Sequence, residues 1–144
     1  MLAILSLFSG ALIALQATVN SSLGVMLKNS LAATTIAFLV SAFTCIVALL
    51  LRNETFPQFS LINKVPFFYW LGGLASALGV ALFYYLIPKM GVANMMTFAL
   101  TGQLIMAIVI AHFGLFNSPV VPISTIKIIG VFAMVLGLLL INKT

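Results

Sequence analysis

Residues 31–51, LAATTIAFLVSAFTCIVALLL, run for 21 positions without Lys, Arg, Asp, Glu, Gly or Pro. The hydrocarbon core of a bilayer is about 30 Å thick, and a helix needs about 20 apolar residues to cross it. This stretch therefore reads as a membrane span. A strand would alternate polar and apolar side chains over segments of about 10 residues, and no such alternation is present here.

Working outward, four more stretches of the same kind appear. The five run from Leu2 to Met26, Leu31 to Leu51, Pro66 to Ile87, Val92 to Phe113 and Ile123 to Ile141. Composition agrees: 64% of the 144 residues are apolar and 5% charged, against about 45–50% and about 25% in a soluble domain. Mean hydropathy is +1.33. The expected fold class is an all-α integral membrane protein with five transmembrane helices, residues 1–144 forming a single domain. No Lys or Arg precedes the first stretch, and it exceeds the usual length of a signal-peptide core, so it is expected to stay as a span.

The connections are short. Lys28-Asn29-Ser30 separates the first two spans, with Asn29 or Ser30 available as a cap. Arg52 to Val65 is the longest polar segment, and Pro66 suits the first turn of the third helix. Pro88-Lys89-Met90-Gly91 reads as a tight connection, and Asn117 to Pro122 carries two prolines.

Several functions are excluded at once. Six basic residues and one acid stand singly along the chain, so no footprint for nucleic acid exists. Cys45 has no partner for an intrachain disulfide. One Glu, no Asp and one His cannot build a carboxylate pair, a catalytic triad or a metal cage. Neither an enzyme nor a metal or cofactor site is expected; the partners are membrane lipids, a second chain and a small molecule.

Five spans place the termini on opposite sides. One side then holds Arg52, Lys64 and Lys127, and the other holds Lys28, Lys89 and Lys143. Orientation normally follows an excess of Lys and Arg in cytoplasmic loops, and here the excess is zero. Either the chain is oriented by its amino terminus or by individual residues near span ends, or copies insert both ways and pair antiparallel. Many transporters are inverted repeats around a central site, and five spans would form one half.

The polar residues inside the spans are the candidates for function. Gln16 and Asn20 lie four apart on one face of the first helix, with Ser9 further back along it. Gln103 is the deepest strongly polar group of the fourth span. Amides in a membrane either bond between helices or line a wet pathway. Trp70, Gly73, Ala77, Ala81 and Tyr84 share a face of the third span, so Trp70 and Tyr84 serve as an interfacial belt or as the aromatic ends of a cavity. Gly72, Gly73, Gly130, Ala133 and Gly137 fall on small-residue seams suited to close helix packing or dimerisation. His112 lies near a span end with no carboxylate beside it, which favours an interfacial role over proton relay.

Residues 10–20, GALIALQATVN, resemble the first helix of the YdcZ-like family of the drug/metabolite transporter superfamily. So do Trp70-Leu71-Gly72-Gly73, Pro88-Lys89-Met90-Gly91, Gly102-Gln103 and His112-Phe113-Gly114, and residues 129–137, IGVFAMVLG, are similar to the superfamily's last helix. The resemblance covers essentially the whole chain. It implies a bacterial inner-membrane exporter, of a family whose members occur as single units, opposite-topology pairs or fusions, and so favours an antiparallel dimer with itself or a paralogue that exports a small metabolite or drug-like compound. The family usually has Asp immediately before His-Phe-Gly, where this chain has Ala111. A mechanism built on a membrane carboxylate therefore does not carry over. The rival readings are a non-transporting membrane subunit or regulator, and a lipid-handling protein with a groove open to the bilayer.

Overall fold

The computed structural model describes residues 1–54 and 56–143. It is helical, with no strand among the described residues. The elements are α1 (Leu2–Met26), α2 (Ser30–Leu51), the single turn α3 (Phe59–Ile62), α4 (Leu71–Met90), α5 (Val92–Phe113) and α6 (Thr125–Ile141). Among the described residues four segments are long and apolar enough to cross a membrane: Leu2–Met26, Ser30–Leu51, Phe67–Met90 and Val92–Phe113. The fifth, Thr125–Ile141, has 17 residues and so lies at the short end of the spanning range, at about 26 Å for a rise of about 1.5 Å per residue.

Contacts divide the chain into two compact units, Met1–Lys89 and Met90–Thr144. In the first, α1 and α2 form an antiparallel hairpin. Lys28 takes a left-handed conformation at φ 53°, its N–H bonds to Val25, and the N–H of Asn29 reaches Gly24 at 3.0 Å. Asn29 then caps α2, its side chain accepting from Ala32 N at 3.1 Å. A Cβ on Gly24 would lie 3.4 Å from Ser30 Cα and 3.5 Å from Ala33 Cβ, so the gap between the helices there is no wider than one methyl group. The buried residues of α1 are Ala17, Ser21 and Gly24. This stripe has the four- and three-residue spacing of one helix face.

The third span differs from its expected bounds at both ends. Pro66 stands just before the helix rather than in its first turn, and Phe67–Trp70 forms a 3₁₀ turn leading into α4. At the other end α4 continues through Pro88 and Lys89 to Met90, where the sequence suggested a connection. A proline inside a helix removes one backbone bond, that of the carbonyl four residues earlier, which here belongs to Tyr84. Ser21 Oγ donates to that carbonyl at 3.4 Å. Helix-breaking residues are tolerated in spans where a neighbouring Ser or Thr re-satisfies the freed group.

The second unit is the hairpin of α5 and α6. Gly91, at φ 83°, supplies the break before α5. Gly114 ends α5 in the left-handed region at φ 61°, and a Cβ there would meet Val120 Cγ2 at 2.6 Å. Glycine is required at that position by both backbone and space. The connection folds back on α5: Val121 N bonds to Ala111 O at 2.8 Å and Ser118 Oγ to Ile110 O at 3.3 Å. The last helix starts at Thr125 rather than Ile123, because the Ser124 side chain caps it by accepting from Lys127 N at 3.3 Å. At the far end Asn142 Nδ2 bonds to Thr97 Oγ1 at 3.0 Å and to Leu138 O at 2.8 Å.

Candidate functional site

The first unit brings together three of the residues singled out from sequence. Gln16 and Asn20 stand one turn apart on α1, and Tyr84 reaches them from α4. Asn20 Nδ2 donates to Gln16 Oε1 at 3.0 Å and to Tyr84 Oη at 2.9 Å. The Tyr84 hydroxyl donates to Gln16 Oε1 at 3.0 Å. The result is a closed ring of three hydrogen bonds between two spans.

Position follows from packing. Tyr84 is 2% exposed, held beside the small face of α1 where Ser21 also takes up its carbonyl. Ala81 and Ile87 are buried on the same side of α4. Asn20 is half-buried and Gln16 exposed, so the ring has one face against protein and one face open.

That open face lines a cavity of about 590 Å³. Its apolar walls include Ile13, Leu23, Ile36, Phe38 and Val80, and Ser41 of α2 adds a hydroxyl. No charged side chain lines it. A pocket with apolar walls and few convergent polar groups is the usual form of a small-molecule site. A second depression, on the outer face of α1, also reaches Gln16 and Asn20 and includes Ser9.

The other candidates are placed elsewhere. Trp70 is 55% exposed, and the 14 positions to Tyr84 correspond to about 20 Å along a helix. It stands at the opposite end of the third span from the amide ring. Of the face that helical spacing assigns to it, Ala81 and Tyr84 are buried, Ala77 is half-buried and Gly73 is exposed. Gln103 belongs to the second unit, exposed and midway along α5.

At Gly72, Gly73, Gly130 and Gly137 an added Cβ would meet nothing within 4 Å, and Ala133 is exposed. Those seams are open surfaces in the single chain. The tight seam lies instead on α1 at Ala17, Ser21 and Gly24, a spacing that was readable in the sequence. His112 Nδ1 accepts from Ile123 N at 3.3 Å, which anchors the connection before α6.

Near the ring, Lys28, Asn29, Ser30, Tyr85, Pro88 and Lys89 line a smaller depression of about 220 Å³. Lys89 Nζ sits 3.6 Å from the centroid of the Tyr85 ring, a cation–π contact. Among the described residues no cluster of His, Cys, Asp or Glu could hold a metal ion.

The family model described as "Putative inner membrane exporter, YdcZ" matches residues 1–140. No curated protein and no solved structure matches the chain.

Proposed function

The chain belongs to the YdcZ family of inner-membrane exporters, and from that premise we propose that it is a half-transporter whose solute pathway passes the Gln16–Asn20–Tyr84 ring. The ring itself carries the reading. Two amides and a phenol inside spanning helices are costly in lipid unless they are paired or face a wet cavity, and here they are paired on one side and open on the other. Its position on the border of a cavity lined by three helices supports a role in the pathway.

The working unit in this reading is a pair of chains in opposite orientations, the same chain twice or this chain with a paralogue. Three basic residues on each side remove the charge bias that would select one orientation. Exposed Gln103, midway along α5, needs a partner or water at that depth, and the open seams at Gly72, Gly73, Gly130, Ala133 and Gly137 allow a second chain to approach closely. Two inverted copies rocking against each other would alternate access to the cavity. The chain would thus bind and move a small metabolite or drug-like compound without chemical conversion.

Reconstituted vesicles test this. A panel of neutral solutes is offered to vesicles carrying the native chain and to vesicles carrying Gln16→Ala. Saturable flux of at least one solute, slowed by the substitution with assembly intact, is expected. Flux that never exceeds that of protein-free vesicles for any solute would contradict it.

A further inference from the structure

The hydrogen-bonding capacity of the ring can be counted atom by atom. Gln16 Oε1 accepts twice, from Asn20 Nδ2 and from the Tyr84 hydroxyl, which fills both lone pairs. Asn20 Nδ2 uses both of its N–H groups, one on Gln16 and one on Tyr84. Tyr84 gives its single proton to Gln16. Two groups remain: the Gln16 Nε2 amino group, a donor, and the Asn20 Oδ1 carbonyl, an acceptor. Neither makes a hydrogen bond among the described residues.

This remainder does not depend on which way the amides are assigned. Exchanging oxygen and nitrogen in both keeps every bond of the ring, with Gln16 now donating twice and Asn20 accepting twice. The groups left over are then the Gln16 carbonyl and the Asn20 amino group. Closing the ring therefore always leaves one NH₂ and one C=O, on side chains that touch each other and line the same cavity.

We propose that this site takes a neutral molecule carrying an N–H donor and a C=O acceptor on one edge, the lactam or primary-carboxamide class, on an apolar body. The inference rests on reading the cavity as a substrate site. A single hydroxyl offers only one point of contact to two residues a full turn apart, with Cβ atoms about 5–6 Å from each other. A cis amide edge offers two points with the complementary donor and acceptor. A charged group would be desolvated against Ile13, Leu23, Ile36, Phe38 and Val80 with no opposite charge in the lining, a poor exchange for its hydration. The walls suit a flat or compact hydrocarbon body instead.

Three bicyclic probes of one shape separate these features: 2-quinolone, its N-methyl derivative, which lacks the donor, and coumarin, in which ring oxygen replaces N–H. Equilibrium binding is measured on the native chain in lipid nanodiscs. The site should favour 2-quinolone over both analogues by about tenfold or more, because each analogue leaves a polar group of the site unpaired. Gln16→Leu and Asn20→Leu should bring 2-quinolone down to the level of coumarin, and Cys45→Ser, an exposed position on α2, should leave the preference unchanged. Equal binding of the three probes by the native chain, or binding of none, overturns the proposal without any variant needing to fold. Aqueous thiol labelling of Gln16→Cys in a Cys45→Ser background uses no ligand and separates the failures. A labelled cavity with no lactam preference overturns the substrate class and leaves the exporter reading standing; an unlabelled one overturns both.

Discussion

The hydroxyl of Ser21 donates to the main-chain oxygen of Tyr84 across 3.4 Å, the oxygen that Pro88 leaves without its helical partner. Two residues in α4 thus act together on α1. Pro88 frees a carbonyl at the level where Tyr84 projects its ring, and α1 meets that level with a small serine, so the helices approach closely. The phenol is then carried one further step to Asn20 and Gln16. Backbone and side chain of Tyr84 are both anchored to α1, one through Ser21 and the other through the amide ring.

Tyr84→Phe should destabilise the first unit by about 1 kcal/mol and Ser21→Ala by about 0.6 kcal/mol, the scale of single hydrogen bonds inside membranes. Tyr84→Ala should cost about 3–5 kcal/mol, since it also empties a buried ring site. Unfolding titrations in mixed micelles measure all three. A Tyr84→Ala cost no larger than that of Tyr84→Phe would mean the ring is not packed as described.

Gly114→Ala should destabilise the second unit by about 1–3 kcal/mol, because it combines a left-handed backbone with a Cβ placed against Val120. Gly10→Ala on α1 meets nothing within 4 Å and should be neutral or slightly favourable, given the helix propensity of alanine. Comparing the two variants in one unfolding assay controls for the loss of glycine itself.

Carboxyl-terminal reporters for the two compartments should both give signal from a single unmodified chain. Two lysines added to either side should tip the mixture in the direction that keeps them cytoplasmic. One fixed orientation, unmoved by added charge, would rule out insertion in both directions.

Transport should vary little with pH near neutrality. The only acid in the chain is Glu54, in the connection after α2 and paired with Arg52 at 3.2 Å on the surface. His112 uses Nδ1 to hold Ile123, so its substitution by Ala should loosen that connection without changing the pH profile. A steep profile abolished by His112→Ala would make this histidine the coupling group.

The spans were legible because lipid imposes one requirement, a sufficient length of apolar helix, which a stretch such as Leu31–Leu51 satisfies openly. Their ends were less so. Pro88 reads locally as a breaker, yet α4 runs on to Met90, and the Tyr84 carbonyl that Pro88 leaves free is taken up by Ser21 from the other helix. The small stripe Ala17-Ser21-Gly24 was visible in sequence but indistinguishable from the seams at Gly72–Gly73 and Gly130–Gly137 until the packing showed which face is covered. Gln16 and Asn20 could be placed on one face from spacing alone. Their bond to Tyr84, 64 residues beyond Asn20 in the chain, depends on the register between α1 and α4, and no local pattern encodes it.

The measurement that bears most directly on the exporter reading is water access to the amide ring. In a Cys45→Ser background, Gln16→Cys and Leu39→Cys are each exposed to a membrane-impermeant thiol reagent in lipid. Leu39 lies midway along α2, is 65% exposed, and is not among the residues lining the cavity, so it reports the lipid-facing surface at similar depth. Reaction of Gln16→Cys far faster than Leu39→Cys is the result the account predicts. Equal, negligible reaction at both positions would mean a dry bundle, and would contradict a solute pathway past Gln16, Asn20 and Tyr84.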